Sequence, residues 1–218
     1  MKQYRKTVGS PVRALIIGLF VMVFTGCTSL GDVRTQTGAE EIDEDLLTVS
    51  VSYVPKSVRF ERYGKQPNPF IAEQSALTPT ELLVFDAFLD NRTDTHAIAL
   101  DRITLSFDGE DSMAEYPSSL RVYWQTREVS ERLRGYDEQQ FFRAIERDLI
   151  TRGEQRGLRD TSSGLLVFRG RFPRAGVARI TVPTVNLDSG SVERHTLRVQ
   201  FSEPERSEGE RVDTSRYE

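Results

Sequence analysis

From residue 46 onward most of the chain alternates apolar and polar positions with a period of two, the pattern of strands that bury one face. Leu47, Val49, Val51 and Tyr53 alternate with Thr48, Ser50 and Ser52, and Pro55 ends the run. Residues 61 to 80 carry Pro67, Pro69 and Pro79 among polar residues, which predicts a loop. Leu82 to Leu89 (LLVFDAFL) is nearly continuous apolar sequence and suits a central strand. After a turn at Asn91 to Asp94 come Ile98, Leu100, Ile103, Leu105 and Phe107. They form two period-two runs, and the one-residue offset between Leu100 and Ile103 predicts a bulge. Asp108-Gly109 closes that strand, and Leu120, Val122 and Trp124 alternate as the next.

The period then changes. Asp137 with Gln140 three residues later has the form of a helix capping pair. Phe141, Ile145 and Leu149, flanked by Phe142 and Ile150, recur at helical spacing, which predicts an amphipathic helix over 138–151 with Gly153 as its stop. Three further strands are expected at Leu165 to Phe172, Val177 to Val182 and Thr196 to Phe201, with turn residues at Pro173, Gly176, Asp188 and Gly190. About seven strands and one inserted amphipathic helix describe a mainly β protein, an antiparallel sandwich over residues 46–202. Residues 203–218 are charged, hold one Val and one Tyr, and are expected to be a disordered tail.

Before the sandwich the composition is different. Lys2, Arg5, Lys6 and Arg13 precede an uncharged run from Ala14 to Phe24 (ALIIGLFVMVF), the layout of a secretory signal over residues 1–26. The run has 11 residues, whereas a bilayer-spanning helix needs roughly 20. Residues 28–45 are polar, with two Gly and a cluster of acids, and predict a flexible tether that reaches at most about 60 Å.

The segment Phe24-Thr25-Gly26-Cys27 resembles a bacterial lipobox. Thr25, Gly26 and Cys27 match that pattern, and Phe24 stands where the family usually has Leu. The resemblance covers the signal segment only. It implies that the Cys27 thiol receives diacylglycerol, that the chain is cut before it, and that Cys27 with residues 28–45 becomes the anchor and tether. Thr28, where Asp would favour inner-membrane retention in some lipoproteins, implies the outer membrane in a cell that has one. Cys27 is the only cysteine, so the exported domain forms no internal disulfide. The turn at Asn91 to Asp94 and the closing strand Thr196 to Phe201 are similar to those of immunoglobulin-like bacterial envelope domains, without the Cys, Trp, Cys signature of antibody domains.

Charge narrows the partners. The chain carries 29 Lys plus Arg and 33 Asp plus Glu; loss of residues 1–26 removes four basic residues and leaves 25 against 33, a net −8. Such a domain is repelled as a whole by nucleic acid and by anionic lipid, so no nucleic-acid partner is expected and attachment is assigned to acyl chains.

Candidate chemistry is sparse. His96 and His195 are the only bases of imidazole type and read as surface residues. Asp108-Gly109-Glu110-Asp111-Ser112 offers carboxylates that a calcium ion would accept, but reads first as a solvated hairpin turn. Asp86 and Asp90 form an acid pair of the kind glycosidases use and that any acidic β domain also contains. No Gly-rich phosphate loop, HExxH or Cys/His spacing occurs, so no catalytic set, cofactor or metal site is assigned. Trp124 reads as core. The face formed by Phe141, Ile145 and Leu149 reads as core that closes the sandwich, with a partner-binding face as the alternative. The leading function is a lipid-anchored envelope protein with a structural or assembly role through contact with another envelope protein. A carbohydrate or small-ligand module, and an enzyme, are the alternatives.

Overall fold

A computed structural model of the chain describes residues 34–44, 47–64, 67–72, 80–127, 133, 136–152, 155–156 and 159–204. The signal segment 1–26, Cys27 and all but two residues of the expected tail lie outside the described residues. The strands are β1 (Thr35–Ala39), β2 (Ile42–Glu44), β3 (Leu47–Tyr53), β4 (Glu81–Asn91), β5 (His96–Ala99), β6 (Thr104–Phe107), β7 (Glu110–Met113), β8 (Gln155–Arg156), β9 (Asp160–Gly170), β10 (Gly176–Asn186) and β11 (Val192–Ser202). The helices are α1 (Lys56–Tyr63), α2 (Pro117–Gln125) and α3 (Tyr136–Asp148).

These elements form three layers. The smaller sheet has the order β2-β3-β4-β9, all antiparallel. The larger has the order β1-β11-β10, and β10 then pairs with β6 at residues 178–181 and with β5 at 184–186. Between the sheets lies a core that includes Leu83, Phe85, Leu89, Leu166, Phe168, Ile180, Leu197, Val199 and Phe201. The three helices belong to a third layer on the other side of the smaller sheet. There Leu82, Val84, Leu165 and Val167 pack with Leu120, Trp124, Phe141, Phe142, Ile145 and Leu149.

This layering explains the continuous apolar run of β4. Leu83 and Phe85 face the second sheet while Leu82 and Val84 face the helices, so both sides of the strand are removed from water. At Asp86 the run changes to strict alternation, with Ala87 and Leu89 buried and Phe88 exposed.

Several expectations are corrected. Residues 117–125, read as a strand through Leu120, Val122 and Trp124, form α2: Leu120, Tyr123 and Trp124 are buried at helical spacing while Val122 is 57% exposed. Pro117 at the helix start and the Tyr116 N–H donating to Ser119 Oγ at 2.9 Å fix that conformation. Part of the loop expected at 61–80 is the end of α1. The bulge expected between Leu100 and Ile103 is a 3-10 turn, Leu100–Arg102, which steps the chain from β5 to β6 along one edge of β10. The helix expected over 138–151 ends at Asp148, because the Ile150 N–H leaves the helical ladder and donates to Leu165 O in β9 at 3.0 Å.

The expected tether also contains folded chain: β1 and β2 lie inside 28–45. β1 is an edge strand held to β11 by backbone pairing and exposes most of its side chains, so it leaves no apolar alternation to read.

Candidate functional site

Where the helical layer stops, the outer face of the smaller sheet is open. Its outward positions there are Thr48, Ser50 and Ser52 on β3, Asp86, Phe88 and Asp90 on β4, and Thr161 and Ser163 on β9. Register places Phe88 opposite Ser50 on one side and Ser163 on the other. Phe88 is 39% exposed.

The step from helices to bare sheet forms a groove of about 630 Å³ lined by Ser50, Ser52, Asp86, Phe88, Ser163 and Gly164 from the sheet and by Arg62, Tyr63, Arg147 and Asp148 from α1 and α3. Two guanidinium–carboxylate pairs border it. Arg62 donates from both terminal nitrogens to Asp86, at 2.7 and 2.8 Å. Arg147 donates to both oxygens of Asp148, at 2.5 and 2.8 Å. Bidentate pairing of this kind fixes the plane of each guanidinium.

Tyr63 lies between these pairs. Burial, reinforced by the negative charge of the neighbouring Asp148 carboxylate, pushes the phenol well above its ordinary value. Burial acts to raise the Asp148 carboxyl, but the hydrogen bonds from Arg147, with the polar influence of the Tyr63 hydroxyl, outweigh it and hold the group below its ordinary value. Hydrogen bonding to Asp86 raises the Arg62 guanidinium against the opposing effect of burial. The wall thus consists of a neutral phenol, two carboxylates and two guanidinium groups already paired with them. Arg62, Tyr63 and Arg147 also line a second depression of about 500 Å³ on the other side, with Leu133, Asp137 and Phe141.

The residues singled out in the sequence lie elsewhere or are covered. Phe141, Ile145 and Leu149 are 5%, 1% and 1% exposed and pack in the core beneath the helices, where Phe141 meets Trp124 edge-on at 5.3 Å. Phe141 also lines the second depression. His195 Nδ1 lies 3.3 Å from Glu44 Oε1 and joins the two sheets at one end, while His96 Nε2 lies 3.3 Å from Asn186 Nδ2; neither lines the groove. Asp108 and Gly109 both have positive φ, 52° and 83°, and are the two central residues of the tight turn joining β6 to β7. Asp86 and Asp90 share the open face but have different cationic partners, Arg62 and Arg92.

Arg62, Tyr63, Phe88 and Asp148 were not singled out from the sequence. The signal available was the change of pattern at Asp86, where β4 passes from two covered faces to one. No protein-family model, curated protein or solved structure matches the chain.

Proposed function

We propose that the chain is a bacterial envelope lipoprotein, held by lipid on Cys27, whose sandwich domain binds a segment of another envelope protein along the open face of the smaller sheet. The outer membrane is its place in a cell that has one. The observation that carries the reading is the juxtaposition of the exposed Phe88 ring with a groove whose charged groups are internally paired. An apolar anchor within a neutral polar rim suits a protein surface. A sugar platform ordinarily presents several exposed rings, and this face presents one, which favours a protein over a carbohydrate occupant. Carboxylates engaged by arginines, with no histidine beside them, suit binding better than proton transfer. The immunoglobulin-like assignment belongs to this reading, supported by two packed antiparallel sheets, and carries no function by itself.

Two measurements test the two halves of the proposal. Cys27→Ser should abolish incorporation of labelled fatty acid and release the protein from membranes; a variant that keeps both the label and the membrane overturns the anchor. A photo-crosslinking residue at position 88 should give a discrete protein adduct in the native envelope, and one at position 122 on α2, exposed but outside the groove, should not. Equal, diffuse labelling at both positions overturns the binding face. Retardation of the domain by an immobilised glycan, lost on Phe88→Ala, would favour the carbohydrate module instead.

A further inference from the structure

The outer face of the larger sheet carries an arrangement that a sheet does not adopt for its own stability. Arg179 on β10 and Arg198 on β11 are directly opposite each other in the register, both exposed, and Arg194 lies two outward positions further along β11, opposite Pro183. Like charges placed opposite on neighbouring strands are destabilising. The outward positions of β10 and β11 are Val177, Arg179, Thr181, Pro183 and Val185, and Val192, Arg194, Thr196, Arg198 and Gln200; none is acidic, in a chain with more acids than bases. Among the described residues none of these three arginines has an ion-pair partner. Two acids come near these arginines in register on this face, Glu40 just past β1, level with Arg198, and Asp111 on β7, two strands from Arg179 across Ser106, and neither forms an ion pair with them.

The chain enters the domain beside this face. Arg34 is fixed by hydrogen bonds to Phe172 O and Pro173 O, and β1, which follows it, is the edge strand paired with β11. The Glu40 N–H donates to Arg198 O at 2.8 Å, so the end of β1 lies against the arginine pair. Six residues separate Cys27 from Arg34, a span of at most about 25 Å. A lipid on Cys27 therefore keeps the β1 edge of this sheet close to the bilayer surface.

We infer that the Arg179, Arg198 and Arg194 face of the larger sheet lies against anionic phospholipid head groups of the membrane that anchors the chain, leaving the opposite, helical side and the groove turned away. The inference rests on the Cys27 anchor proposed above. The net charge of the domain opposes binding from solution, but a tethered domain needs only an orientational preference, and the distribution of charge sets that preference. Each cation at an anionic surface shifts its population about fivefold, and the effect is confined to roughly a Debye length, about 8 Å at physiological salt.

The test uses the full-length acylated protein with Thr196→Cys, between Arg194 and Arg198, as the reporter thiol, and Val122→Cys on the helical layer as control. Each is placed on vesicles of phosphatidylcholine alone or mixed with phosphatidylglycerol, and labelled with a membrane-impermeant maleimide. Position 196 should label at least about fivefold more slowly on the anionic vesicles. Position 122 should not change, and molar salt or the double variant Arg179→Gln/Arg198→Gln should remove the difference. That variant removes the like-charge opposition and should melt no lower than the parent, so its loss of protection is not unfolding. Equal rates at position 196 on both vesicles overturn the inference, as does protection that appears only in native envelopes, which would assign the face to a protein. A purified chain without acyl groups overturns the anchor alone. In that event a histidine tag at the entry to residue 34, in a Cys27→Ser background on nickel-chelating lipid, gives the same comparison.

Discussion

Arg34 and Glu81, 47 residues apart, form a guanidinium–carboxylate pair at the point where the chain enters the sandwich. The Arg34 side chain is 1% exposed and also donates to Phe172 O and Pro173 O, both at 2.5 Å, so four hydrogen bonds tie the start of β1 to β4 and to the β9–β10 turn. Removing the carboxylate leaves a buried cation with backbone carbonyls alone. Glu81→Ala should lower stability by about 3 kcal/mol, at the low end for a broken buried pair because Glu81 itself is partly solvated. The double variant Arg34→Met/Glu81→Leu should lose less. Urea midpoints of the three proteins check the order, and a double variant less stable than Glu81→Ala would contradict it.

Gly164 is a second point of close approach. A Cβ at this position would come 2.8 Å from Asp148 O and 3.1 Å from Ile150 N, because the end of α3 lies directly on β9. Its backbone needs no special φ; the constraint is space. Gly164→Ala should cost about 1–3 kcal/mol and displace the Asp148 side of the groove. A midpoint equal to the parent would show that the helix end yields without cost.

Phe141 lies in the middle of the second core, with Trp124 and Phe142 each 5.3 Å away edge-on. Phe141→Ala should lower stability by about 3–5 kcal/mol, the transfer and cavity cost of a buried aromatic side chain. An unchanged urea midpoint would mean that the ring is exposed in solution.

How much of this was legible in the sequence follows from which forces leave a pattern. β3, β4, β9, β10 and β11 were marked by apolar alternation because each buries a face, and α3 by the spacing of Phe141, Ile145 and Leu149. β1 was not, because it is held by main-chain hydrogen bonds that any side chain permits. α2 was misread because Leu120, Val122 and Trp124 also satisfy a period of two. The capping residues Pro117 and Ser119 carried the better signal. The groove needed three-dimensional information: Arg62, Asp86, Tyr63 and Asp148 come from α1, β4 and α3, and no local spacing relates them. What the sequence did mark was the edge of the helical layer, at the Asp86 interruption of an apolar run.

Tyr63 and Asp148, side by side in the groove wall, set its pH response. Asp148 has its folded value lowered, so its contribution to stability is present above the ordinary carboxylate range and is lost as pH falls through the lowered value. Tyr63 has its folded value raised, so its contribution is present below the ordinary phenol range and is lost as pH rises through the raised value. Asp148→Asn should therefore be less stable than the parent at neutral pH, and the gap should begin to shrink as pH falls below about 4, where the unfolded parent protonates while the folded one still holds its carboxylate. Tyr63→Phe should instead flatten the alkaline fall expected above about pH 10. Urea midpoints measured across pH for the parent and both single variants separate the two limbs. A gap between parent and Asp148→Asn that stays constant from neutral pH down to pH 3 would mean that the carboxylate, and with it the paired wall of the groove, does not contribute in its charged form.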